Sequence, residues 1–211
     1  HCVTGVHRCA LPFSGVIKRD FMHGGEVLLH DRPVRYFVPA SAVRDGIVYV
    51  TEDRKIEGFF ETQSIAGNVY LGLLAKLRGQ RTLVSKKEAS EVGAHWIKRL
   101  AIRAIGGDVK AIELSGGNQQ KLVIAKSLVQ EPELIIFDEP TRGVDVGAIT
   151  EIHQLINRLA DEGKAVVVIS SYLPEIMALS DRILVQRMGK VVEEYSALEA
   201  TEEKIMYAAI H

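Results

Sequence analysis

The second half of the chain alternates strand-like runs with a helical pattern, and this alternation restricts the fold more than any other feature. The runs Leu134 to Phe137 and Ala165 to Ile169 are short and apolar. The apolar residues between them recur at helical spacing, and Gly163 follows where a glycine cap is expected. Parallel strands need a crossover helix of this kind. The pattern therefore predicts a βαβ unit within an α/β fold.

The residues after this unit continue the mixed pattern. A helix is predicted to start near Leu173. The segments Arg182 to Gln186 and Lys190 to Glu194 predict two strands joined by a tight turn at Met188-Gly189. A short helix is expected from Leu198 to the end of the chain.

The first half predicts strands followed by a long helical stretch. Gly25 to Leu29 and Val34 to Val38 resemble a β pair, and Gly46 to Val50 resembles a buried strand. From about Ser64 to Ile112 the pattern is helical, and Gly106-Gly107 is expected to end it. We therefore expect one partial domain, residues 1–211. Residues 1–62 and 113–211 would form its α/β core, and residues 63–112 an inserted helical lobe.

Composition and charge exclude several classes of protein. Lys and Arg number 26 against 27 Asp and Glu, the formal net charge is -1, and no block of like charge predicts a nucleic-acid partner. No apolar run approaches the roughly 20 residues of a membrane-spanning helix. Cys2 and Cys9 lack metal-ligand spacing, which fits a reducing compartment. The chain opens on His1 without a signal-peptide pattern, and we expect it to be a fragment of a longer protein.

Two acidic residues, Asp138 and Glu139, directly follow the strand Leu134 to Phe137. Open α/β sheets bind ligands at the carboxyl ends of their strands, and charge placed there needs a cation or hydrogen bonds. A magnesium nucleotide meets both requirements. We expect Asp138 to contact Mg²⁺, directly or through water, and Glu139 to orient the attacking water. The alternative is an acidic helix N-cap after a strand.

The segment LSGGNQQK, residues 114–121, predicts an anion-binding turn. Ser115 is a good helix N-cap, and Gly116 and Gly117 allow backbone N–H groups to approach a ligand closely. The helix that follows directs its positive end at the same place. A terminal phosphate is a common ligand for such a helix start.

Together these segments resemble the ATP-binding-cassette (ABC) ATPases. LSGGNQQK is similar to the family's signature motif, LIIFDEPT to its Walker B motif, and GVDVGA, from Gly143 to Ala148, to its D-loop. NQQK with DEPTRGVDVGA, and YVTEDRK at Tyr49 to Lys55, resemble in particular the second ATPase half of the bacterial ribose, galactose and xylose importers. The resemblance extends from about Gly25 to the C-terminus. It implies a P-loop NTPase-like ABC ATPase core with an inserted helical lobe.

The resemblance also implies ligands and partners. The cofactors would be ATP and Mg²⁺, and the residues that contact the nucleotide would be Ser115, Gly116, Gly117, Gln119 and Asp145. In the cassette dimer, the signature of one half covers a nucleotide held by the phosphate loop of the other half. The expected partners are a first ATPase half on the same or another chain, membrane permease subunits and, indirectly, a periplasmic sugar-binding protein. The expected location is peripheral, on the cytoplasmic face of the bacterial inner membrane.

Three positions depart from the family's catalytic pattern. Glu52 stands where a glutamine usually contacts the metal and the membrane partner, and we expect a metal ligand there, with a surface turn as the alternative. Ser171 takes the place of the switch histidine as the second catalytic residue beside Glu139, and since a hydroxyl lacks the imidazole's charge we expect weak hydrolysis at this half's own site. The phosphate loop would fall near residues 5–11, where His7 replaces a needed glycine and no G-x-x-x-x-G-K-[ST] pattern occurs. The N-terminal strands and this loop are thus expected to be truncated or degenerate, and the isolated chain inactive.

Three hypotheses of function follow. The first is the C-terminal half of a carbohydrate importer, which couples ATP binding and hydrolysis to sugar uptake and gives its signature and Walker B motifs to a composite site. The second is a non-catalytic, truncated cassette remnant. The third is an ATPase head of the DNA-repair or chromosome type, which is disfavoured because no sustained heptads predict the long coiled coils of those proteins.

Overall fold

The structure, a computed structural model, describes residues 27–77 and 85–211. The expected phosphate-loop region, residues 5–11, and both cysteines lie outside the described residues. In chain order the elements are β1 (Leu28–Leu29), β2 (Arg32–Pro33), α1 (Pro39–Arg44), β3 (Ile47–Val50), α2 (Ile65–Lys76), α3 (Lys86–Arg99), α4 (Gly116–Leu128), β4 (Leu134–Asp138), α5 (Val146–Asp161), β5 (Ala165–Ile169), α6 (Leu173–Leu179), β6 (Arg182–Arg187), β7 (Lys190–Ser196) and α7 (Glu202–Ile210). A π-helical turn spans Arg54–Gly58 and a 3₁₀ turn spans Ala111–Glu113.

Three parallel strands form the central sheet of the described residues. β4 lies between β3 and β5, with Tyr49 opposite Ile136 and Asp138 opposite Ile169. The predicted βαβ unit, from β4 through α5 to β5, is confirmed. Gly163 follows α5 with a φ of +83°, the left-handed conformation that ends many helices. Because β4 and β5 are neighbouring parallel strands, their carboxyl ends meet at one edge of the sheet.

The predicted hairpin before β3 exists, but its second strand lies elsewhere. His30 and Asp31 have positive φ values of 49° and 60° and form the tight turn between β1 and β2. The expectation of a strand at Val34 to Val38 is wrong, because this two-residue turn places the return strand at Arg32. Residues 34–38 form no strand, and Pro39 begins α1.

The helical stretch consists of α2 and α3. Trp96 and Leu100 are both buried in the main hydrophobic cluster. The expectation that Gly106-Gly107 ends this stretch of helix is wrong. α3 already ends at Arg99, and Ala101 turns the chain with a φ of 49°. The division into an α/β core and an inserted lobe stays a prediction.

The backbones of α2 and α4 approach each other closely at Gly72. A Cβ on Gly72 would lie 2.0 Å from the carbonyl oxygen of Lys126, so a glycine permits this separation of the two helices. The ammonium of Lys126 donates to the carbonyl of Gly58 at 2.8 Å. Burial lowers the pKa of Lys126. α4 is thus fixed on two sides, by α2 and by the segment that follows β3.

The strands β6 and β7 and the helix α7 pack around a separate, smaller hydrophobic cluster. β6 and β7 are antiparallel and are joined at Met188-Gly189, as predicted. The expected terminal helix begins at Glu202 rather than near Leu198. Its buried residues Ile205 and Ala208 pack in a cluster with those of β6. Within the described residues, no helix combines the length and apolar character needed to cross a membrane.

Candidate functional site

The carboxyl end of β4 holds Asp138 against the neighbouring strand. Asp138 is fully buried, and the hydroxyl of Tyr49 on β3 donates to its Oδ2. Burial and then this hydrogen bond raise the pKa of Tyr49, so the phenol stays protonated and remains a donor. The parallel register of β3 and β4 thereby fixes the position of the carboxylate.

Glu139 lies against the backbone of Ser171. Only 6% of Glu139 is exposed, and its φ of 47° is unusual for a residue other than glycine. Its Oε1 accepts the backbone N–H of Ser171 at 2.7 Å, and its own N–H donates to the carbonyl of Ile169 at 2.8 Å. The structure thus brings together the two residues predicted to be catalytic, through the backbone of Ser171 rather than its side chain.

Glu52, a predicted metal ligand, forms an ion pair with Arg142. No group of three or more His, Cys, Asp or Glu among residues 27–77 and 85–211 is arranged to hold a metal ion. Proteins commonly bind Mg²⁺ through one or two carboxylates together with phosphate oxygens and water. The buried carboxylate of Asp138 fits a Mg²⁺ that takes its other ligands from a bound nucleotide and water.

Ser115 occupies the N-cap position of α4 but does not cap it. Its side chain accepts no N–H of α4, and the side chain of Asn118 instead donates Nδ2 to Ser115 Oγ at 2.8 Å. Among the described α-helices, four others begin with a residue whose side chain does accept an N–H of its own first turn: Ser64, Ser85, Asp145 and Thr201. The first N–H groups of α4 are left without a side-chain cap, which suits an anionic ligand.

The turn before α4 packs against the start of α5. A Cβ on Gly117 would lie 2.4 Å from the Cβ of Ala148 and 3.5 Å from Oδ2 of Asp145. Asp145 caps α5 by accepting the N–H of Ala148 at 3.0 Å. The structure therefore brings Ser115, Gly116, Gly117 and Asp145 together. Ser115 and Asp145 are exposed there.

Gln119 does not join this exposed group. Only 9% of it is exposed, and its amide nitrogen lies 3.4 Å from the carbonyl oxygen of Ala111. Asn118, one residue earlier, is the amide side chain that contacts Ser115. The assignment of Gln119 as a nucleotide contact stays a prediction, and the fold gives its side chain a partner of its own.

The buried charge of Lys121 holds α4 against α5. The ammonium of Lys121 donates to Glu151 Oε2 on α5 at 2.7 Å and to the carbonyl of Ala101 at 3.1 Å. Only 5% of the Lys121 side chain is exposed. Arg103 donates to the other oxygen of Glu151 at 2.6 Å. The hydrogen bond from Lys121 is the largest influence that lowers the pKa of Glu151.

Sequence reasoning missed Asn118 and Arg54 as parts of this site. Asn118 lies within the LSGGNQQK segment, three residues after Ser115, a spacing that places two helix side chains on one face. This spacing is a sequence signal that indicates a contact between Asn118 and Ser115. Arg54 donates to the carbonyls of Arg142 and Gly143 at 2.6 Å and 2.8 Å. No local pattern in the sequence indicates this contact.

Comparison with known proteins gives one consistent family. A family model described as ABC transporter matches residues 14–142. The chain is 42% identical over 194 residues to putative ribose/galactose/methyl galactoside import ATP-binding protein 3 of Burkholderia ambifaria, and 45% identical over 185 residues to ribose import ATP-binding protein RbsA 2 of Rhizobium meliloti. These matches cover 92% and 88% of this chain but only 38% and 36% of the two relatives. The chain thus spans well under half the length of the curated relatives it matches.

Solved structures of ATP-binding cassettes share the fold. The ATP-binding cassette MJ1267 of an ABC transporter has a TM-score of 0.80 at 21% identity, over 97% of this chain and 83% of that one. A dimeric, post-hydrolysis state of the cassette MJ0796 bound to ADP and Pi has a TM-score of 0.74 at 23% identity, over 92% of this chain and 81% of that one. At these identities the likeness establishes the α/β cassette fold and nothing finer.

Proposed function

The chain belongs to the ABC transporter family, and from that premise we propose that it is the C-terminal ATP-binding half of a carbohydrate importer. In this role its turn Ser115 to Gly117 contacts the terminal phosphate of an ATP that is held by a second cassette half. The chain supplies the signature and Walker B motifs to a composite site, and the assembly couples ATP binding and hydrolysis to sugar uptake.

The observation that carries this proposal is the uncapped start of α4. The backbone N–H of Arg103 donates to Asn118 Oδ1 at 2.9 Å, and since a backbone nitrogen only donates, this bond orients the amide. Asn118 Nδ2 therefore faces Ser115 Oγ, which accepts, and the hydroxyl proton of Ser115 is left to be donated elsewhere. A phosphate oxygen beside the turn would receive that proton and the free N–H groups of α4.

At this half's own site the residues of β4 and β5 support weaker chemistry. Bound Mg²⁺ would neutralise phosphate charge, and Asp138 is the carboxylate placed to hold it. Glu139 would orient a water molecule, with its own position fixed by the N–H of Ser171. A serine at the switch position supplies no positive charge, so we propose slow hydrolysis here. Glu52 remains a candidate metal ligand only if its ion pair with Arg142 opens.

The names of the relatives support the proposed substrate class. The names of those quoted above identify ribose and galactose as imported sugars, and a pentose or hexose is our proposal for this assembly. The proposed partners are a first ATPase half, membrane permease subunits and, indirectly, a periplasmic sugar-binding protein. The proposed location is peripheral, at the cytoplasmic face of the bacterial inner membrane.

The hypothesis of a non-catalytic remnant makes a different prediction for the α4 start. A remnant would retain the fold without any need for Ser115 to contact a ligand. The DNA-repair and chromosome class is disfavoured, because the quoted relatives are import proteins. We propose no nucleic-acid partner.

Sugar uptake by the complete importer in proteoliposomes tests the proposal. Ser115→Arg places a long cationic side chain in the turn and should abolish ATP-driven uptake by blocking the partner's phosphate. Ser90→Arg makes the same change at an exposed site on α3 and should leave uptake at the wild-type rate. Normal uptake by the Ser115→Arg protein would contradict the proposal and favour the remnant hypothesis.

A further inference from the structure

The side chain of Arg54 connects the segment after β3 to the loop that follows β4. Its two terminal nitrogens donate to the carbonyls of Arg142 and Gly143 at 2.6 Å and 2.8 Å. A guanidinium forms such paired contacts with a fixed geometry, which a lysine ammonium cannot reproduce. The two acceptors are successive backbone oxygens, so the contact fixes the path of the loop rather than one side chain.

A second contact holds the same loop. The side chain of Arg142 forms an ion pair with Glu52, two residues before Arg54. Asp53, between them, accepts the N–H of Ile56 at 3.1 Å and so starts the π-helical turn Arg54–Gly58. The side chains of Glu52 and Arg54 thus contact residues 142 and 143 at two points. We refer to this two-point contact as the clasp.

The clasp also touches the start of α4. A Cβ on Gly116 would lie 3.3 Å from the Nη2 atom of Arg54 and 3.3 Å from the carbonyl oxygen of Gly143. The guanidinium, the loop and the turn before α4 therefore meet at one point. Gly116 allows all three to approach because it has no side chain.

The charge of Arg54 is incompletely compensated at this point. Burial lowers the pKa of Arg54, partly opposed by the charge of neighbouring Asp53. Its two terminal nitrogens donate to neutral carbonyls, and its Nε is buried without a hydrogen-bond partner among the described residues. Placing a cation in such surroundings costs free energy. Stability alone therefore gives a weak reason for an arginine at this position.

We propose that Arg54 is a positioning residue for the composite nucleotide site. By holding Gly143 beside Gly116, it makes the loop at residues 142–145, the start of α4 and the segment 52–58 move as one unit. Asp145 and Ser115 then face the partner's nucleotide in a fixed relation. This inference rests on the proposed function, because the geometry that Arg54 maintains matters only if a nucleotide lies across from it.

The test is steady-state ATP hydrolysis by the complete importer with Arg54→Met, Arg54→Lys and Arg158→Met. Rates are normalised to folded protein, and thermal unfolding is recorded for each variant. We expect Arg54→Met to lower kcat about tenfold or more with KM within about twofold, since a small displacement of contacting groups lowers kcat while the partner half still captures ATP. Arg54→Lys keeps the charge and one donor direction, and it should give an intermediate kcat. Arg158→Met, at an exposed site on α5, should match the wild type.

Two outcomes distinguish a failure of this inference from a failure of the proposed function. If Arg54→Met and Arg54→Lys lower the unfolding temperature but leave kcat per folded molecule unchanged, while Ser115→Arg still abolishes hydrolysis, the clasp is only structural and this inference is wrong. If Ser115→Arg retains the wild-type kcat, the proposed function fails, and the role of Arg54 fails with it. Should Arg54→Met not fold, Arg54→Lys alone decides between these results.

Discussion

The backbone N–H of Ser171 lies 2.7 Å from Oε1 of Glu139 and donates to it. This contact joins the residue after β4 to the second residue after β5, across the edge of the sheet. One carboxylate oxygen of Glu139 is therefore committed to holding the loop in place. The other carboxylate oxygen of Glu139 is the atom left to act on water.

Glu139→Gln should slow ATP turnover of the complete importer only modestly. The amide oxygen can still accept the N–H of Ser171, but glutamine cannot accept a proton from water. The expected loss is well below the roughly 100-fold or greater effect of removing a principal general base, because the proposed function already assigns slow hydrolysis to this half's own site. Hydrolysis is compared with Glu193→Gln, an exposed change on β7. A loss of 100-fold or more would show that this half's own site carries most of the hydrolysis.

Asn118→Asp should reduce hydrolysis by about tenfold or more. The new carboxylate can still accept the N–H of Arg103, but its other oxygen accepts where Nδ2 donated. The hydroxyl proton of Ser115 then turns toward that carboxylate and away from a phosphate, and a negative charge is added beside the turn. The measurement is ATP hydrolysis by the complete importer. Equal activity of Asn118→Asp and the control Asn157→Asp, at an exposed site on α5, would refute the role assigned to Asn118.

Gly72→Ala should destabilise the chain by about 1–3 kcal/mol. The added methyl group would lie 2.0 Å from the carbonyl oxygen of Lys126, so α2 and α4 must separate. Gly106→Ala is the matched control, because a Cβ there meets no atom within 4 Å. Chemical denaturation followed by circular dichroism measures both variants. A Gly72→Ala protein as stable as Gly106→Ala would show that the two helices are less closely packed.

Glu151→Gln should destabilise the chain by roughly 1–2 kcal/mol at neutral pH, because the buried ammonium of Lys121 would lose its charged partner. The hydrogen bond from Lys121 holds the pKa of Glu151 below its ordinary value of 4.5. The stabilisation is therefore present above pH 4.5 and is lost as the pH falls through the lower folded value. Denaturation at several pH values should show that the free energies of unfolding of wild type and Glu151→Gln converge on acidification. A difference between them that does not depend on pH would contradict the role assigned to the Lys121–Glu151 pair.

Elements whose signals are local could be predicted from the sequence. β4, α5 and β5 follow from apolar runs and helical spacing, and the glycine after α5 occupies the expected left-handed position. The return strand β2 and the end of α3 could not be predicted. Both depend on positive φ values at His30, Asp31 and Ala101, residues that do not signal such a conformation as glycine does.

The candidate site shows the same division. Asp138, Glu139 and the turn Ser115 to Gly117 lie in short motifs whose chemistry is evident from residue type. The contacts of Asn118 with Arg103 and of Arg54 with Gly143 join residues 15 and 89 positions apart. Such contacts are set by packing between elements, and no periodicity in one segment carries them.

Photolabelling of the complete importer, with an ATP analogue that carries a reactive group on its γ-phosphate, tests whether the turn Ser115 to Gly117 contacts a nucleotide held by the partner half. Trypsin should release the turn on a single peptide, residues 111–121, which follows Lys110 and ends at Lys121. We expect label on this peptide, and loss of that label when the phosphate loop of the partner half is disabled. Label that is absent from the peptide, or that persists without the partner's phosphate loop, would contradict this role of the turn.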